Sequence, residues 1–179
     1  TYQSVTGSGA RGIQQLKAER EGQDVDKIYP WTIDLNLIPH GGHFLADGYT
    51  TEEQKLVDES RKILSIPALR LTATVVRVPV YGGHSESVNV ELNHDFDLEE
   101  LKSLLKNSPG ISMLDNPAEF IYPMPRYAQG KNDVFVGRIR RDSSAANSLN
   151  MWIVADNLRK GAATNACQIA DYLIKEKLV

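Results

Sequence analysis

Residues 71–80 form an almost unbroken apolar and β-branched run. Gly82-Gly83 follows at once, and residues 85–92 then alternate apolar and polar. This stretch constrains the fold more than any other, because it predicts a buried strand, a tight turn and a half-buried strand in direct succession. Further strands are predicted over 31–38, where Trp31-Thr-Ile-Asp-Leu-Asn-Leu-Ile38 stops at Pro39, and over 110–115, 133–140 and 149–155. Helices are predicted over 13–19, 51–64, 97–106 and 160–177. Thr50 and Glu53 make a capping-box pattern before the second helix, with Leu56, Ser60, Ile63 and Leu64 as its apolar side. Ala163, Ala166, Ile169, Ala170 and Leu173 mark the packed side of the last helix. Asn116–Lys131 reads as a long loop with three prolines. Short connections between most strands, interrupted by single helices, predict an α+β domain: a mixed, largely antiparallel β-sheet covered on one face by helices.

The 179 residues fit one domain, 1–179. A formal charge of −3 gives no basic footprint for nucleic acid and no lure for an anionic membrane. No window approaches the ~20 apolar residues that span a bilayer. A single cysteine forms no internal disulfide and no thiolate metal cluster, which points to a reducing, cytoplasmic setting. The first residues carry neither an initiator Met nor a signal peptide, so the chain is expected to be a piece of something longer.

Five segments bear on chemistry. Gly7-Ser8-Gly9-Ala10-Arg11-Gly12 matches the dinucleotide pattern G-x-G-x-x-G, but only six residues precede it, and Asp34, the acidic residue at the right distance, falls inside a predicted strand. A glycine-rich connector is the better reading. Arg77 interrupts an apolar strand, where a guanidinium is costly unless an anion answers it. His84 follows a double glycine, where backbone approaches a ligand closely and an imidazole titrates near neutral pH; the bland alternatives are an edge Arg in water and a surface His. Glu52 and Lys55 lie three apart on a helix, the usual spacing of a solvated ion pair. His40-Gly41-Gly42-His43 carries two imidazoles but no further metal ligand at useful spacing, so it reads as a polar loop and no metal is expected. Cys167 reads as a small buried apolar group in the last helix.

Laid side by side, these segments resemble the aspartate-semialdehyde dehydrogenases, in their C-terminal substrate-binding and dimerisation domain, of a fold like that of glyceraldehyde-phosphate dehydrogenase. The resemblance is carried by Thr1-Tyr2-Gln3-Ser4-Val5, Asn36-Leu37-Ile38-Pro39-His40, Gly48-Tyr49-Thr50 with Glu52-Glu53-Gln54-Lys55, Arg77-Val78-Pro79-Val80 through His84-Ser85-Glu86, Asp133 through Arg140, and Asp156 through Ala163. It implies NADPH-dependent reduction of L-aspartyl 4-phosphate to L-aspartate 4-semialdehyde with release of phosphate, a step in lysine, threonine and methionine biosynthesis. It implies that His84 is the acid/base, Gln3 orients the acyl group, Arg77 clamps the substrate α-carboxylate, Glu52 takes its ammonium and Lys55 its phosphate. Asn157, Gly161 and Asn165 would lie near the nicotinamide of NADP(H), and the protein would be a homodimer or a tetramer.

Two departures qualify this reading. In the family the nucleophilic Cys and most of the NADP site lie upstream of the Thr-Tyr-Gln motif; Cys167 does not match the nucleophile's motif, so the isolated chain is expected to be inactive. Gly41-Gly42-His43 also replaces a less glycine-rich loop, and its role is open. The competing readings are a sister acyl-phosphate reductase of the N-acetyl-glutamyl-phosphate type, a non-catalytic dimerisation paralogue, and a mononucleotide site at the glycine motif.

Overall fold

The computed structural model describes residues 1–179 and divides into two compact units, Thr1–Tyr81 and Gly82–Val179.

The first unit contains strand β1 (Tyr2–Gln3), helix α1 (Gly9–Arg20), helix α2 (Thr51–Ile63) and strand β2 (Val76–Arg77), with one 3-10 turn over Val5–Ser8. β1 and β2 pair in parallel, with Tyr2 opposite Val76 and Gln3 opposite Arg77. Val5, Leu16, Tyr29, Ile33 and Ile38 form its core.

Residues 31–38 do not form the expected strand. Polar side chains of α1 take the backbone groups that a ladder would otherwise use. The Gln15 Oε1 accepts the N–H groups of Ile28 and Tyr29 at 2.8 and 3.0 Å, and its Nε2 donates to the Trp31 carbonyl at 3.2 Å. The Glu19 Oε2 accepts the N–H groups of Ile33 and Asp34 at 2.8 and 2.9 Å. Leu35 then turns to a positive φ and only Ile38 makes a bridge, to Arg77. The long strand expected over 71–80 shrinks to β2, because Pro79 donates no hydrogen bond and the Val75 N–H goes to the Glu53 side chain.

The capping box is formed: Thr50 Oγ1 accepts from the Glu53 N–H, and Glu53 Oε2 accepts from the Thr50 N–H. The inward face of α2 is Glu53 and Val57, not the predicted row; Ile63 and Leu64 are exposed. The glycine motif at 7–12 has no strand of useful length before it. Gly12 is required by packing, since a Cβ there would lie 2.5 Å from the Val5 carbonyl oxygen and 3.0 Å from the Tyr29 hydroxyl. Asp34 binds Arg20 at 2.8 Å.

The second unit holds strand β3 (His84–Glu91), helix α3 (Leu98–Lys106), strand β4 (Ile111–Met113), the single turn α4 (Pro125–Ala128), strands β5 (Val134–Arg141) and β6 (Ser148–Ala155), and helix α5 (Thr164–Lys175). β3 pairs antiparallel with β6 rather than in the expected glycine hairpin; β6 pairs antiparallel with β5, and β5 parallel with β4. The expectation of an α+β fold with a mixed, largely antiparallel sheet is therefore borne out. Period-two alternation sorts the side chains. Val134, Val136, Leu149, Met151 and Ile153 meet Leu98, Leu101 and Leu105 of α3, while Phe135, Trp152 and Val154 meet Ala128 of α4. Leu149 is 1% exposed, and burying such a side chain contributes about 1.5–3 kcal/mol.

α5 begins later than predicted. A π-helical segment, Arg159–Ala163, breaks at Ala162, and α5 starts at Thr164. The expected packed side is exposed at Ala163, Ala166, Ile169 and Ala170, and Cys167 is exposed rather than buried. No helix is long and apolar enough to cross a membrane.

Candidate active site

In the first unit the fold brings Arg77 and Glu52 against one loop, with Gln3 beside Arg77 on β1. As register partners, Gln3 and Arg77 present their side chains on the same face of the β1–β2 pair. Ile38 holds the other edge of β2, accepting from the Arg77 N–H at 2.8 Å and donating to the Arg77 carbonyl at 3.1 Å. Arg77 is thus fixed from both sides and 8% exposed. Its guanidinium belongs to no ion pair or side-chain hydrogen bond, so the anion that burial demands is not supplied by this chain. Arg77 lines a hollow of about 180 Å³ with Ser8, Tyr29, His40, Gly41 and Gly42.

Glu52 stands in the first turn of α2, half-buried against that loop. A Cβ on Gly41 would lie 3.4 Å from both Cβ and Cγ of Glu52. The Glu52 carboxylate has no hydrogen bond or ion pair of its own. Lys55 does not reach it: its ammonium lies 4.0 Å from Glu59, one turn further on, and both side chains are exposed. The expected Glu52–Lys55 pair is therefore replaced by a Lys55–Glu59 contact of small energetic weight. Of the loop's two histidines, His40 stacks on Phe44 with ring centroids 4.4 Å apart, and His43 is held through its backbone by Thr51.

Glu53, next to Glu52, is 7% exposed. Burial works against its ionisation, but hydrogen bonds from the Val75 N–H, the Thr50 N–H and the Thr50 hydroxyl outweigh burial and hold the carboxyl below its usual range. One ionised side chain thereby caps α2 and ties it to the strand that bears Arg77.

In the second unit His84 opens β3, half-buried, opposite Ala155 at the end of β6. The turn before it is packed against the 125–129 segment: a Cβ on Gly83 would lie 3.1 Å from the Pro125 Cα, and one on Gly82 3.0 Å from the Gln129 amide carbon. Asn157 Oδ1 accepts the Gly83 N–H at 3.3 Å, which joins two predicted residues, His84 and Asn157, through one backbone group. Gly161 is exposed and Asn165 half-buried just beyond.

Asp156, absent from the predicted set, organises this region. It is 5% exposed; Oδ2 accepts the Gly130 N–H at 2.7 Å and Oδ1 the Leu158 N–H at 2.8 Å. Its backbone carbonyl collects the N–H groups of Arg159, Lys160 and Gly161. The only sequence signal was an acidic residue directly after an apolar strand, which a turn cap and a catalytic group share.

Fold and residues together define an α+β domain of the class found in the semialdehyde dehydrogenases. The chain belongs to the semialdehyde dehydrogenase dimerisation-domain family, whose pattern matches residues 1–160. It is 48% identical over 185 residues to the aspartate-semialdehyde dehydrogenase of Aquifex aeolicus, covering 100% of this chain and 54% of that protein. The Bacillus subtilis aspartate-semialdehyde dehydrogenase is 43% identical over 192 residues, covering 100% and 56%. Aspartate semialdehyde dehydrogenase II of Vibrio cholerae, solved in complex with ASA, superposes with a TM-score of 0.90 at 40% identity, covering 97% of this chain and 53% of that one. The chain thus spans about half the length of the curated relatives it matches.

Proposed function

We propose that this chain is the substrate-reading and acid/base half of an NADP-dependent aspartate-semialdehyde dehydrogenase, acting on L-aspartyl 4-phosphate in amino-acid biosynthesis. The observation that carries the reading is a pair of unanswered charges of opposite sign, Arg77 of β2 and Glu52 of α2, beside one glycine loop. A free α-amino acid brings the two complementary groups. An N-acylated amine carries no charge, which leaves Glu52 without a partner and speaks against the N-acetyl-glutamyl-phosphate reading.

In this reading the Arg77 fork takes the α-carboxylate in bidentate fashion, Glu52 the ammonium, and Lys55, free at the surface apart from one weak contact, the phosphate. Gln3, beside Arg77, orients the acyl oxygen. His84 accepts the proton of the attacking thiol and later handles the proton at the reacting oxygen, a role suited to an imidazole titrating near neutral pH. The thiol belongs to the part of the relatives' length that this chain does not span. The Asn157–Gly161 turn fits the nicotinamide end of NADP(H): a Cβ on Gly161 would meet nothing nearer than the Asn157 Cβ at 3.9 Å, so the backbone is open to a flat ring. Asn157 and Asn165 lie beside it to meet a carboxamide. When bound, the dinucleotide supplies the hydride. The family's dimerisation role makes a homodimer the expected assembly, in the cytoplasm.

The test is an assay of the full-length protein with aspartate semialdehyde, phosphate and NADP, run beside N-acetylglutamate semialdehyde. Turnover of the first alone is expected, with none from the 179-residue chain by itself. Preference for the acetylated substrate overturns the assignment.

A further inference from the structure

His40-Gly41-Gly42-His43 has no part in the chemistry above, yet it is tightly fitted against α2. Gly42 has φ 78°, and a Cβ there would overlap Thr51 Oγ1 and sit 3.5 Å from Glu52 Cγ. A Cβ on Gly41 would lie 2.7 Å from Val75 Cγ1 as well as against the Glu52 stem. Two hydrogen bonds clamp the loop to the start of α2: the His43 N–H donates to Thr51 Oγ1 at 3.1 Å, and the Thr51 N–H to the His43 carbonyl at 2.9 Å. Only a chain without side chains at both positions can lie this close.

A glutamate in the first turn of a helix ordinarily samples many rotamers. Here one flank of Glu52 is walled off by backbone, and the same two glycines line the hollow over Arg77. We propose that Gly41-Gly42 is a specificity-determining wall. It holds the Glu52 carboxylate at a fixed offset from the Arg77 guanidinium, and so selects a substrate that carries a free ammonium beside its carboxylate. Gly41, Gly42 and Thr51 are positioning residues; they act through Glu52. The inference rests on the reading of Glu52 and Arg77 given above.

The experiment measures kcat and KM of the full-length protein in the oxidative direction for aspartate semialdehyde and for succinate semialdehyde, which lacks the amino group. In Glu52→Gln the preference for the amino substrate falls. In Gly42→Ala it falls by about tenfold, the cost of a misplaced polar partner, through KM, with kcat within about twofold. Gly42→Ala has little further effect in the Glu52→Gln background. Should Gly42→Ala not fold, Thr51→Val loosens the clamp from the helix side and gives the same KM-only loss. Equal loss on both substrates, or an unchanged ratio in a background where Glu52→Gln does change it, overturns the wall. An unchanged ratio in Glu52→Gln itself overturns the underlying reading and the wall with it.

Discussion

Gln3 and Arg77 face each other across the parallel β1–β2 pair, each 8% exposed, and Arg77 has no anion of its own. A buried cation without a partner costs stability and is useful only when a ligand answers it.

Arg77→Met is therefore expected to raise the urea midpoint, by about 1 kcal/mol of stability, while abolishing saturation by substrate. Arg77→Lys keeps the charge but loses the fork, and KM should rise about tenfold or more. Chemical denaturation and steady-state kinetics on the same two variants check both halves; a destabilised Arg77→Met would show that the guanidinium is held by something in the fold.

Glu53 supplies a pH dependence whose sign is fixed. Its folded pKa lies below its unfolded one, so its stabilisation is complete above about pH 4.3 and is lost as pH falls through the folded value. Glu53→Ala should cost about 2–3 kcal/mol at pH 7, from the lost cap and the orphaned Val75 N–H. The stability gap between wild type and Glu53→Gln should narrow steadily as pH is lowered from 7 into the acid range. A constant gap would place the effect elsewhere.

Asp156→Ala removes the acceptor for Gly130 and Leu158, a loss of about 2–3 kcal/mol for buried bonds to a charged group. Hydrogen exchange should accelerate at both amides and spread into residues 125–130, while α3 stays protected. Uniform acceleration across the unit would mean that Asp156 supports the whole sheet rather than the turn.

His84→Asn in the full-length protein should lower kcat by about 10²–10⁴-fold and leave KM within a few-fold. A kcat close to that of the unaltered enzyme would assign proton transfer to another group.

The capping box, the register-forming strands β3, β5 and β6, and the extent of α2 could be read from spacing because their signals are local: a Thr50–Glu53 pair and alternation; the inward face of α2, Glu53 and Val57, could not. Residues 31–38 also alternate, and that pattern misled. Period two says that a backbone is extended and half-buried, not that another strand supplies its hydrogen bonds, and here Gln15 and Glu19 supply them from a helix. The last helix misled in a similar way, since an apolar stripe marks a face that can be covered and not what covers it. In the candidate site, Arg77 was visible as a charge out of place, and His84 by its double glycine. Asp156 was not, because a carboxylate that pins backbone amides leaves no spacing rule behind.

The grip of α1 on residues 28–34 also bears on how the first unit assembles. Gln15 is fully buried and Glu19 holds two amides from the same helix face. The stretch they catch has no ladder of its own, so its native backbone path depends on that face of α1. The 13-to-16-residue separations of these bonds keep the loop short to close. A lesion at Gln15 would leave the Ile28 and Tyr29 amides without their acceptor and unfasten the whole stretch from the helix.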